Sequence, residues 1–139
     1  MSINPKDIKP KGNNEAEKYI SLYKQYKSNY KDEVKLAIFY QLGDFYEIYA
    51  LEYTKDTTDN LMNETKKVGN LWELSRDLNI AIGKKKISVY NDPSIQVYMG
   101  GIGVKSIDKY LNISIENGWT IVVYSQQKNN KTGNFMRVF

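Results

Sequence analysis

The chain has 139 residues, 41% of them hydrophobic and 13% aromatic, which is enough for one packed core and argues against disorder. It contains no cysteine and no histidine, so disulfides, thiolate nucleophiles, the common zinc sites and imidazole acid–base chemistry are all excluded, and neither a metal nor a cofactor is expected. The formal net charge of +4 is carried almost wholly by lysine, with Arg76 and Arg137 the only arginines, which permits a polyanionic partner without requiring one.

Residues 1–13 hold two prolines, a glycine and three lysines, and read as a flexible or surface-hugging lead-in. Asn14 followed three residues later by Glu17 forms a capping box, and Tyr19, Leu22, Tyr23, Tyr26 and Tyr30 recur at three- and four-residue steps. The spacing predicts an amphipathic helix over 15–29 whose tyrosine stripe is core. A hairpin is predicted over 34–49, with Leu36 to Leu42 and Phe45 to Tyr49 as strands about a Gly43-Asp44 turn. Strand alternation then puts Phe45, Glu47 and Tyr49 on one face and Tyr46 and Ile48 on the other. Periodicity alone reads this as an edge strand with a core phenylalanine and a solvated glutamate.

The region 50–69 is polar and turn-rich and reads as a long loop; Asp56 and Asp59 lack the spacing of a calcium-binding loop. Gly69-Asn70 opens a helix with Leu71, Trp72, Leu74, Ser75 and Leu78 inward. Ile80 to Ile82 is a predicted short strand, Gly83 to Lys86 a solvated turn, and Ile87 to Tyr90 an extension of the strand. Asn91 to Ser94 is a turn and Ile95 to Met99 a strand. Gly100 to Gly103 lacks the spacing of a phosphate loop and is assigned to a tight strand-to-helix connection. A helix follows over 106–116 with Ile107, Tyr110, Leu111 and Ile115 inward, stopped at Asn117-Gly118. Thr120 to Tyr124 is a buried strand, Gln126 to Asn134 a polar loop, and Phe135 to Phe139 a closing strand. This order predicts an α+β fold, a mixed β-sheet flanked by helices.

Phe39-Tyr40-Gln41-Leu42-Gly43-Asp44-Phe45-Tyr46-Glu47-Ile48-Tyr49 resembles the signature of the N-terminal mismatch-recognition domain (domain I) of the MutS family of DNA mismatch repair proteins. Met99-Gly100-Gly101-Ile102, Tyr110-Leu111, Asn117-Gly118 and Gln127 are similar to further family landmarks in the same order, so the resemblance spans roughly ninety residues. It implies a domain over 14–127 with an insertion at 50–69, followed by a polar loop and closing strand over 128–139. It also implies double-stranded DNA, preferably mismatched, as partner. Phe45 would wedge beside a mispaired base, Glu47 would hydrogen-bond it, Leu42 would lie beside the wedge, and Lys84 and Lys85 would contact the phosphate backbone. The chain departs from the family pattern at Gly103, Lys105 and Gln126, where the family carries proline, histidine and glutamate. Family members run on into DNA clamps and an ATPase, so the rest of such a protein or a second subunit is an implied partner; no ATP-binding motif occurs here.

The second expectation is a stand-alone structural or interaction protein, such as a virion or scaffold component, that keeps this fold without reading mispairs. Catalysis is not expected, because Asp44 and Glu47 are the only suggestive carboxylate pair and strand alternation turns them to opposite faces. No run of about 18 apolar residues and no apolar leader core is present, so an intracellular protein without a membrane partner is expected.

Overall fold

The structure, a computed structural model, describes residues 8–54, 65–126 and 135–139. Asp56 and Asp59, Gln127, most of the lead-in and most of the 126–134 loop lie outside the described residues. The described residues form an α+β fold, a mixed seven-stranded sheet flanked by three α-helices. The elements run α1 (Glu15–Lys27), β1 (Leu36–Leu42), β2 (Phe45–Thr54), β3 (Thr65–Val68), α2 (Leu71–Leu78), β4 (Gly83–Lys85), β5 (Ile95–Gly103), α3 (Ile107–Glu116), β6 (Thr120–Ser125) and β7 (Phe135–Val138).

The sheet order is β4-β5-β2-β1-β6-β7, with β3 also on β2. Only β1 and β6 pair in parallel; every other described pair is antiparallel. Helix α1 packs on the face that carries Ile38, Tyr40 and Tyr49: the Tyr19 ring lies 5.6 Å from that of Tyr49, and its hydroxyl donates to the Ile38 carbonyl at 2.9 Å. Helices α2 and α3 cover the opposite face, where Trp72 meets Tyr98 edge-on at 5.4 Å. The tyrosine stripe is core, as its spacing predicts: Tyr19, Tyr23 and Tyr26 are buried and Tyr30 packs against the same cluster.

The α1 cap does more than close a helix. Asn14 Oδ1 accepts from the Glu17 amide at 2.9 Å, while the buried Glu17 carboxylate accepts from the amides of Asn13 and Tyr90, each at 3.1 Å. Tyr90 and Asn91 both sit in the left-handed region at φ 54°, a conformation that a tyrosine adopts only when its surroundings hold it. One acidic side chain therefore ties the lead-in, the helix start and the 89–92 turn together. Ile8 is buried, and Gln25 Nε2 donates to the Lys9 carbonyl at 2.8 Å, so residues 8–13 hug α1.

Several expectations are corrected. The predicted loop over 50–69 contains strand at both ends: β2 continues through Thr54 over the buried Ala50 and Leu51, and β3 pairs with it. The polar residues of Thr65 to Lys67 hid that strand because its outward side needs no apolar alternation. Ile80 to Ile82 is not a strand, since the Ile80 amide donates to the Ser75 carbonyl and the Ser75 hydroxyl donates to the Ile80 carbonyl. The end of α2 thus consumes the backbone groups a ladder would need; pairing starts instead at Gly83, Lys84 and Lys85 occupy β4, and Ile87–Tyr90 adds no strand beyond a bridge from Val89 to Asp92.

Gly100 to Gly103 is strand, not connection, and pairs with Phe45 to Ile48; the connection is a 3-10 turn over Val104–Ser106. On α3, Leu111 and Ser114 are buried while Ile115 is exposed. Ser114 turns inward because its hydroxyl satisfies the Tyr110 carbonyl at 2.7 Å and its own carbonyl accepts from the Trp119 amide.

Gly100 explains why that stretch is glycine: a Cβ there would stand 3.1 Å from Leu71 Cδ1 and 3.2 Å from the Ala81 carbonyl oxygen, whereas one at Gly101 would meet nothing nearer than 3.9 Å. Gly100→Ala is expected to cost about 1 to 3 kcal/mol by overpacking α2 against the sheet, and Gly101→Ala to stay within about 0.5 kcal/mol of the parent. Urea unfolding of the two variants checks the contrast.

Candidate nucleic-acid interface

The β1–β2 turn is built for a two-residue connection. Gly43 has φ 61° and Asp44 does not share a positive φ, the pattern of a type II′ hairpin with glycine at its first position. Neighbouring strands hold it on two sides. The Gly43 amide donates to Gln126 Oε1 at 3.1 Å, Gln41 Oε1 accepts from the Gln126 amide at 2.8 Å, and Gln41 Nε2 donates to the Gly43 carbonyl at 3.1 Å. From the connection after β5, the Val104 amide donates to the Asp44 carbonyl at 2.9 Å. Sequence reasoning saw Gln126 only as a departure from a family pattern; its role as the acceptor for a turn amide 83 residues away has no local signature.

Phe45 follows this clamped turn and is 56% exposed, the most exposed of the large hydrophobic residues described. The edge-strand reading with a core phenylalanine is therefore wrong at this residue. Tyr46 goes the other way into the core, where its hydroxyl shares a hydrogen bond with Ser125 at 3.0 Å. Phe45, Glu47 and Tyr49 share the α1 face, with exposure falling from Phe45 through a half-buried Glu47 to Tyr49 at 2%. Leu42, half-buried, is the direct cross-strand partner of Phe45, and Tyr40 is the partner of Glu47.

The Tyr49 hydroxyl donates to Glu47 Oε1 at 2.6 Å. Glu47 Oε2 makes no hydrogen bond among the described residues and is not enclosed. Burial pushes the Tyr49 hydroxyl far above its ordinary range, and the Glu47 carboxylate it bonds pushes it further, so it stays a donor. Tyr40 is raised in the same way by burial and then by Glu15, and it stacks on Tyr124 at 5.0 Å. On β5, the residues opposite Phe45 and Glu47 are Gly103 and Gly101. Neither has a side chain, so the strip beside the ring and the carboxylate is bare backbone that a flat ligand can approach closely.

Leu42, Phe45 and Glu47 are thus brought together. Lys84 and Lys85 are not beside them. They pair with Tyr98 and Val97, five and six residues along β5 from Gly103, a separation of roughly 17–20 Å at about 3.4 Å per residue. Alternation also sends them to opposite faces: Lys85 shares the Phe45 face, with its ammonium 3.9 Å from Met99 Sδ, and Lys84 does not. With Lys86, Ser88 and Gln96 they line an open recess of about 460 Å3 that no carboxylate lines. The exposed Lys105, two residues past Gly103, stands nearer to the tip; in the sequence it is noted only as a departure from the family pattern.

Among the described residues, no group of three or more acidic side chains could hold a metal, and no helix is long and apolar enough to cross a membrane. Comparison with protein-family models gives no match, and no curated protein matches the chain in sequence.

The tyrosines set the alkaline behaviour of the fold. Tyr19, Tyr40 and Tyr49 are all held protonated by burial, so above about pH 10 the unfolded chain releases protons that the folded chain retains, and stability must fall with rising pH. The urea midpoint is expected to stay level from pH 7 to about 9.5 and to drop beyond pH 10. Tyr49→Phe should soften that drop.

Proposed function

We propose that this chain is a non-catalytic duplex-DNA-binding module that reads mispairs, akin to the mismatch-recognition domain of the MutS family. The observation that carries the reading is the exposed Phe45 ring at a clamped hairpin tip, with the Glu47 carboxylate next to it on the same face. An exposed aromatic forgoes burial worth about 2 kcal/mol, and such a ring on a rigid tip is suited to a partner that can take it in.

A duplex offers that slot at a cost. Inserting a ring at a base step must offset a few kcal/mol of unstacking, and a mispaired step opens more cheaply than a matched one, so the wedge senses deformability. Glu47 adds the second half of the discrimination. A carboxylate among phosphates is repelled, so it favours binding only where a displaced base edge donates to it. The bare backbone of Gly101 and Gly103 lets the sugar–phosphate surface come close beside the ring, and the exposed Lys105 just past Gly103 and Lys85 farther along the Phe45 face supply modest attraction.

The same ring could instead seat in a protein partner, the scaffold reading, and binding measurements separate the two. Fluorescence anisotropy at low salt is expected to show tighter binding to a G·T duplex than to its matched control. Phe45→Ala should weaken mispair binding by about one to two decades, toward the matched value, because base–aromatic stacking is worth roughly 1–3 kcal/mol. Glu47→Ala should leave matched-duplex affinity level or raise it while the preference narrows. Equal affinity for both duplexes, unchanged by Phe45→Ala, together with a defined oligomer on a sizing column, would establish the scaffold reading instead.

A further inference from the structure

We infer that Tyr49 is the positioning residue of this site: its hydroxyl occupies Glu47 Oε1 and turns the carboxylate into a one-oxygen acceptor that presents Oε2 beside Phe45. The inference rests on the reading of Phe45 and Glu47 as a duplex-contacting pair. Its basis is geometric. The Tyr49 ring is 2% exposed and packs on Tyr19 at 5.6 Å, and Tyr19 is itself fixed by the bond from its hydroxyl to the Ile38 carbonyl. A carboxylate on a half-exposed strand residue ordinarily samples several rotamers, and holding it in one has an entropic cost. Here the 2.6 Å bond from a buried, immobile hydroxyl has already met that cost before any ligand arrives.

The consequence is chemical as well as geometric. With Oε1 engaged, the acceptor that remains is Oε2, which makes no hydrogen bond among the described residues and lies on the strand position facing Gly101. Gly101 carries no side chain to cover it, so a base edge displaced by the Phe45 ring finds one acceptor in a fixed place over bare backbone. Phenylalanine at position 49 would keep the packing against Tyr19 and lose only the donor. Glu47 would then reorient freely, matched and mispaired duplexes would meet the same mobile charge, and discrimination would shrink.

The test is a double-mutant cycle read as the ratio of mispaired to matched affinity, with urea midpoints to verify folding. Tyr49→Phe is expected to lower that ratio about tenfold, the scale of one lost hydrogen bond to a charged group, and to leave it unchanged in a Glu47→Ala background. An unchanged ratio in the parent background, or an equal fall in both backgrounds, overturns the inference, because the tyrosine would then act on the fold and not through Glu47. A second readout needs no DNA: at fixed neutral pH the Glu47 side-chain carboxyl carbon resonance should move in Tyr49→Phe, and an unmoved resonance overturns the positioning role. If the parent protein fails to distinguish the duplexes, the mismatch reading falls and this resonance alone decides the role of Tyr49.

Discussion

Hydrogen bonding on both edges of β2 is the constraint from which the site follows. Tyr40 to Leu42 of β1 pair along one edge, Ile95 to Gly103 of β5 run along the other, and β3 takes up the far end. A strand held on both sides cannot slip by one residue without sending Tyr46 and Tyr49 to the wrong faces and out of their packed sites, so the face assignment of Phe45, Glu47 and Tyr49 is fixed by the register of the whole sheet. The face dips under α1 as it leaves the tip. That single slope gives three residues on one side of one strand three different environments: a ring in solvent, a carboxylate at the boundary and a hydroxyl in the core.

Much of this was legible because it is local. Asn14 with Glu17, the tyrosine spacing of α1, the Gly43-Asp44 turn and the alternation from Phe45 onward each report a short-range preference, and each is realised. What stayed hidden depends on residues far apart in the chain. Nothing near Ile80 says that Ser75 will claim both its backbone groups, and nothing near Gly100 says that Leu71 will press against it. The run of glycines reads as a connection for the same reason that it works as a strand: absent side chains suit a tight turn and also a close helix–sheet contact. β3 was missed because its pairing with β2 buries little that is apolar, so the period-2 signal is weak there.

The same logic brings together only part of the candidate set. Leu42, Phe45 and Glu47 lie within one hairpin, where sequence distance and spatial distance agree. Lys84 and Lys85 lie on another strand, and only the register of β4 on β5 reveals that they stand away from the tip and on opposite faces. The partners that make the tip rigid, Gln126 and Val104, and the tyrosine that holds Glu47, come from the end of β6, the connection after β5 and the interior of β2. A preorganised contact of this kind favours geometry over charge, in keeping with a net charge of only +4.

Insertion of Phe45 at a mispaired step is the central claim, and a fluorescent base next to the mispair reports it directly. 2-Aminopurine is quenched while stacked, so a duplex carrying it beside a G·T pair should brighten when the protein binds, while the matched duplex stays dark and Phe45→Ala abolishes the rise. A saturated complex with no change in fluorescence, or equal brightening with the Phe45→Ala protein, would show that the ring does not enter the stack and would contradict the account.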